Sequence, residues 1–123
     1  MASLRFGKVQ LRIMRVIWEK QRANAREITD AMNKIEPIAH STVQTLLRKL
    51  EEKGAVAHDV DERTFIFYPL VQAESVTKFA LTEFIDRIFM GSPAGLVSYL
   101  LKQEDIPAEE MKKIREMIKV KGK

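Results

Sequence analysis

Ser41, Thr42, Gln44, Thr45, Arg48 and Lys49 bring six hydrogen-bonding side chains into nine consecutive residues. These types form no acid–base or nucleophilic set, but they match the edges of nucleic-acid bases. Arginine pairs bidentately with guanine, glutamine with adenine, and threonine offers a hydroxyl together with a methyl that suits thymine. Lysine supplies a cation for phosphate. Gln44 has two readings: it can close a helix cap with Ser41 or reach a base. A capped surface helix that touches nothing carries the same residue types, so the pattern gains meaning from the elements that hold it.

Other chemistry has little support. His40 and His58 lie eighteen residues apart, with no acid or cysteine at ligand spacing, so no metal set is expected. The absence of cysteine excludes disulfides, thiolate ligands and cysteine nucleophiles. No glycine-rich phosphate loop occurs, and nothing marks an activated serine. The expectation is a protein with no catalytic residue, no metal and no cofactor. His40 reads as a turn residue before the polar stretch. Phe79, Phe84 and Phe89, spaced by five, read as core plus interface rather than a cofactor box.

Apolar residues set the elements. Leu46, Leu47 and Leu50 fall within about 60° of Val43 at ~100° per residue, which turns Thr45, Arg48 and Glu52 outward. This helix starts near Ser41 and ends at Gly54, where a left-handed residue is wanted. Before it, residues 8–20 repeat Val9, Ile13, Val16 and Ile17 at helical spacing, with Met14 and Trp18 widening the stripe. Asn24 and Glu27 form a reciprocal cap for a second helix, which fades before Pro37. Ala55 to Val60 and Thr64 to Pro69 are β-rich and flank Asp61-Glu62-Arg63, a hairpin. Three further helices follow, over residues 74–90, from Ser92-Pro93, and from Pro107, with a frayed basic end at Lys119 to Lys123.

Three short helices followed by a hairpin make a winged helix-turn-helix. The fold class predicted is mainly α with a small β-hairpin, with residues 1–72 forming a DNA-binding domain and 73–123 a helical dimerisation region. Charge agrees. Residues 1–26 carry seven Lys or Arg against one acid, Glu19, whereas residues 71–123 carry nine basic and eight acidic side chains. A basic end joined to a balanced end fits a polyanion-binding half and a half with another task. Arg12 and the hairpin-tip Arg63 join the candidate contacts to duplex DNA. Asp59, Asp61 and Glu62 beside the tip count against it.

Several stretches carry a resemblance. Gln10-Leu11-Arg12-Ile13-Met14-Arg15-Val16-Ile17-Trp18-Glu19, Ala25-Arg26-Glu27-Ile28, the run from Ser41 to Gly54, and Phe67-Tyr68-Pro69-Leu70 resemble the penicillinase-repressor family, the BlaI/MecI/CopY type. The likeness continues more weakly through Phe89-Met90-Gly91-Ser92-Pro93 and Leu96-Val97. It implies a homodimeric transcriptional repressor on an inverted-repeat operator, with Ser41, Thr42, Gln44, Thr45 and Arg48 at the family's contact positions. The copper-responsive branch ends in a cysteine-rich tail, which is missing here. The β-lactam-responsive branch is released by cleavage at an Asn-Phe bond, and Tyr99-Leu100 stands at that place. The resemblance leaves the target genes, the inducing signal and any upstream sensor or protease unnamed.

One recognition helix carries few phosphate contacts, and two copies about one helical turn apart are the usual solution. Phe79, Phe84, Ile88, Leu96, Leu100, Met111, Ile114 and Ile118 offer the apolar faces for a homodimer, on an appendage too small to fold readily by itself. No apolar run reaches the ~18 residues of a membrane span, and Met1 to Phe6 is too short and polar for a secretion signal. A cytoplasmic protein is expected. The alternative is a winged-helix module that binds protein instead of DNA.

Overall fold

The computed structural model describes residues 3–121. Nine elements follow in order: α1 (Lys8–Lys20), β1 (Ala23–Asn24), α2 (Ala25–Asn33), α3 (His40–Glu52), β2 (Val56–Asp61), β3 (Thr64–Pro69), α4 (Ala73–Ile88), α5 (Pro93–Lys102) and α6 (Ala108–Lys121). The described chain forms two compact units, one running to Leu81 and one from Thr82, divided inside α4.

The first unit is built on one apolar core. Ile13, Met14 and Ile17 from α1, Ile28 and Met32 from α2, and Val43, Leu47 and Leu50 from α3 are buried together with Ala55, Val56 and Phe67. Val9, the first residue of the expected α1 stripe, is over a third exposed. Trp18 lies at the core's edge, and its indole N–H donates to the Val71 carbonyl at 2.9 Å.

Local signals start and stop the helices. The Gln10 side chain accepts from the Gly7 amide at 3.0 Å and opens α1. At α2 the Asn24 side chain accepts from the Glu27 amide at 2.8 Å, and the Glu27 carboxylate accepts from the Asn24 amide at 2.9 Å. Gly54, at φ +85°, ends α3 in the left-handed region, as its lack of a Cβ permits.

The sheet has the order β1-β3-β2 and is antiparallel throughout. Ala23 pairs with Phe67, and His58 pairs with Phe67 from the other side. β1 was not expected, since two residues carry no periodicity. The hairpin was, and its register closes at Asp61 opposite Thr64. Glu62 and Arg63 fill a two-residue loop with φ values of +47° and +68°. Positive φ at both central residues is the type I′ turn, which matches the twist of the strands but favours Asn-Gly.

From Thr82 onward the chain is helical. Met90 and Gly91, at φ +53° and +81°, turn it after α4, two residues short of the expected end at Met90. Ser92 caps α5, its hydroxyl accepting from the Gly95 amide at 2.9 Å, with Pro93 in the first turn. α6 continues to Lys121, so the fraying expected from Lys119 is not seen as far as that residue, and residues 122–123 lie outside the described chain. Among the described residues of this unit only Ile85 is buried.

The I′ turn yields a prediction. An L-residue in the left-handed region costs about 1–2 kcal/mol, partly offset by the greater unfolded-state freedom of glycine. The double substitution Glu62→Asn, Arg63→Gly is expected to raise stability by about 1 kcal/mol. Urea denaturation should move to a higher midpoint at unchanged slope.

Candidate nucleic-acid interface

The outward side of α3 matches the sequence expectation in orientation. Ser41, Thr42, Gln44, Thr45, Arg48 and Lys49 are all exposed, while Val43, Leu47 and Leu50 are fully buried and Leu46 is half-buried. The helix start differs. α3 begins at His40 with Ala39 as its cap, and no side chain caps it. Ser41 and Gln44 therefore do not close a capping pair, and Gln44 is left for another partner.

Contacts with α2 set that start. The buried Thr29 hydroxyl donates to the Ala25 carbonyl at 2.8 Å, so His40 Nδ1–H donates to Thr29 Oγ1 at 2.9 Å. The Asn33 side chain accepts from the Ile38 amide and donates to the Ile38 carbonyl, each at 3.0 Å. These bonds hold the turn between α2 and α3. His40 is thus the first helical residue and ties α3 to α2, rather than a turn residue.

The Thr45 hydroxyl donates to the Ser41 carbonyl at 3.0 Å. Its lone pairs and methyl remain for a partner; its proton does not. Gln44, Arg48 and Lys49 have no hydrogen bond or ion pair among the described residues.

Arg12, the candidate on α1, is engaged. Its guanidinium donates to Glu36 Oε2 at 2.6 Å. That hydrogen bond and the charge of Arg12 hold the Glu36 carboxyl below the usual glutamate range, with a smaller contribution from Lys8. Lys53, which sequence reasoning did not single out, fastens the N-terminal segment. Its ammonium donates to the Arg5 carbonyl and lies 4.6 Å from the Phe6 ring centre. Partial burial pushes its pKa down.

The hairpin is fastened from both faces. Arg22 donates to Asp59 at 2.7 Å and lies over the Tyr68 ring, 5.4 Å from its centre. Asp59, counted against DNA contact in the sequence, therefore has its charge opposed within the protein. On the other face His58 donates to Glu51 of α3 at 2.5 Å and stacks on Phe65, the rings 3.9 Å apart and 11° from parallel. Arg63 stands exposed in the tip. Arg22 escaped sequence reading because its partner Asp59 is distant in the chain, and Thr29 and Asn33 because their bonds depend on the path of the turn between α2 and α3; only the position of Arg22 just past a helix end was a signal.

Of the residues expected to dimerise, Phe79, Phe84, Ile88 and Ile118 are 36–54% exposed, and Leu96, Leu100, Met111 and Ile114 are half-buried. Phe84 meets Phe89 edge-on at 5.7 Å, and Phe89 meets Tyr99 at 6.1 Å. Tyr99 is itself exposed. Among the described residues no group of three or more His, Cys, Asp or Glu is placed to hold a metal, and no helix is long and apolar enough to cross a membrane.

A helix pair in this arrangement, followed by a twisted hairpin, defines the winged helix-turn-helix class. Comparison with known proteins agrees. The family described as penicillinase repressor matches residues 6–120. The chain is 25% identical to the penicillinase repressor of Bacillus licheniformis over 109 residues, covering 89% of this chain and 85% of that one. It is 26% identical to the methicillin resistance regulatory protein MecI of Staphylococcus aureus (strain N315), covering 89% of each. A solution structure of the monomeric form of Bacillus licheniformis BlaI in complex with the blaP half-operator superposes with a TM-score of 0.51 at 28% identity, over 60% of this chain and 92% of that one. The chain belongs to the penicillinase repressor family.

The Arg12–Glu36 pair is testable by titration. A carboxyl with a depressed folded pKa contributes stability above its unfolded value, and that contribution is lost as pH falls through the folded value. Carbon-detected NMR should place the Glu36 midpoint below the ordinary 4.5. Arg12→Ala should return it to that value; an unchanged midpoint in the variant would exclude Arg12 as the cause.

Proposed function

We propose that this chain is a transcriptional repressor that binds duplex DNA through α3, with Arg63 of the hairpin on the flanking backbone. The observation that carries the reading is the partner-free set Gln44, Arg48 and Lys49 on the outward face of α3. The Bacillus licheniformis relative seen with its half-operator supports it. In this reading Gln44 and Arg48 face base edges, Thr45 gives its methyl and a hydroxyl acceptor, Ser41 and Thr42 flank them, and Lys49 meets phosphate. Arg12 reaches phosphate once it leaves Glu36. The place of action is the cytoplasm. The Arg22–Asp59 pair weakens the case for a module that only binds protein.

We further assign residues 73–123 to homodimerisation on an inverted-repeat operator. From Thr82 onward one copy buries only Ile85 among the described residues, and exposed apolar surface of this kind marks interfaces. The near-neutral charge of residues 71–123 avoids repulsion between two copies.

Three outcomes are expected. Affinity for random duplex falls steeply with salt, by about 0.9 in log–log slope per neutralised phosphate; negligible binding at low salt would defeat the repressor reading. Thr45→Ala and Arg48→Ala weaken operator binding by about 1–3 kcal/mol, and Gln44→Ala alters base preference, whereas Lys49→Ala weakens all sequences alike. Sedimentation equilibrium at micromolar concentration gives twice the chain mass of 14.2 kDa; a single species at the chain mass would refute dimerisation.

A further inference from the structure

Between α3 and the hairpin lies a cavity of about 290 Å³, open to solvent on one side. Its floor is Leu47, and its wall is aromatic: Phe65, His58 and Phe67. His58 covers one face of the Phe65 ring at 3.9 Å, and Phe67 meets that ring edge-on at 6.3 Å. Phe65 is still 49% exposed. An aromatic ring left half in water beside a concave surface has apolar area that a ligand can cover. The rim is polar, with Gln44, Arg48 and Glu51.

The charge on that rim is selective. The Glu51 carboxylate accepts from His58 at 2.5 Å. Arg48 engages no group among the described residues, and a planar guanidinium is shaped to hold a carboxylate through two hydrogen bonds. The volume lies at the lower limit of ligand sites, enough for one ring and its acid group. We propose that this cavity is a binding site for a small aromatic carboxylate, its ring against Phe65 and Leu47 and its carboxylate on Arg48 with help from the Gln44 amide. Gln44 and Arg48 are also the side chains assigned above to base edges. An occupied cavity therefore withdraws both from duplex DNA, and ligand and duplex compete. The competition rests on the proposed DNA-binding role; the ligand site does not.

The test uses the full chain and three probes of similar size: sodium benzoate, neutral benzamide and cationic benzylamine. Amide and side-chain NMR signals of Gln44, Arg48, Glu51, His58 and Phe65 are expected to shift saturably with benzoate, with benzamide about tenfold weaker because it lacks the charge-assisted contact. Arg48→Ala should erase the preference for benzoate over benzamide, and Phe65→Ala should lose all three probes. At ionic strength matched with sodium chloride, benzoate should reduce duplex affinity for the intact chain and leave that of Phe65→Ala unchanged. No saturable shift, shifts centred elsewhere, or tighter binding of benzylamine would each overturn the ligand site, and duplex affinity indifferent to saturating benzoate would overturn the competition. Duplex affinity without any probe answers for the repressor reading alone, and the spectra, recorded without DNA, answer for the site alone.

Discussion

The burial of Val43, Leu47 and Leu50 at 0–1% exposure fixes the rotation of α3 about its own axis. A helix side chain advances by about 100° per residue, so three buried positions at spacings of four and three leave no freedom in what faces outward. Removing one buried leucine side chain typically costs 2–5 kcal/mol, whereas each exposed polar residue on the far side costs almost nothing to change. The outer face is thus free to vary in chemistry while its orientation is held by the core. His40 and Thr29 add a second constraint, on the angle and height of α3 against α2.

The hairpin is fixed by different means. Apart from Val56 at its base and Phe67, it contributes little to the core. Its position depends on polar contacts at the surface, Arg22 with Asp59 and His58 with Glu51. Exposed ion pairs contribute about 0–1 kcal/mol each, so these set orientation more than stability. The same contacts bear on the electrostatics: near the proposed interface Asp59 is paired with Arg22 and Glu51 is hydrogen-bonded to His58, whereas Arg48 and Lys49 engage no group among the described residues. Arg12 and Glu36 repeat the arrangement at α1.

Much of this was legible in the residues. The stripe in residues 8–20 gave the limits of α1, Asn24 and Glu27 gave the start of α2, and Gly54 gave the end of α3, because each signal is complete within a few residues. The start of α3 was misread for the opposite reason. Ser41 and Gln44 have the right types for a local cap, but bonds from Thr29 and Asn33, several residues upstream, draw the helix start back to His40. β1 was invisible because Ala23 and Asn24 form a strand only by pairing with Phe67 and Ile66, over forty residues away. The outward set on α3 was readable from periodicity, whereas the internal bond of Thr45 and the occupied state of Arg12 depend on geometry.

The scant burial from Thr82 onward has a consequence for how such a protein is controlled. When helices complete their core only against a second copy, folding and association become one equilibrium, and the amount of folded protein depends on total concentration. Halving the number of chains then removes more than half of the paired species. On the proposed pairing, gene dosage and the rate of proteolytic turnover act on the amount of paired repressor more than proportionally, at most as the square of the chain concentration.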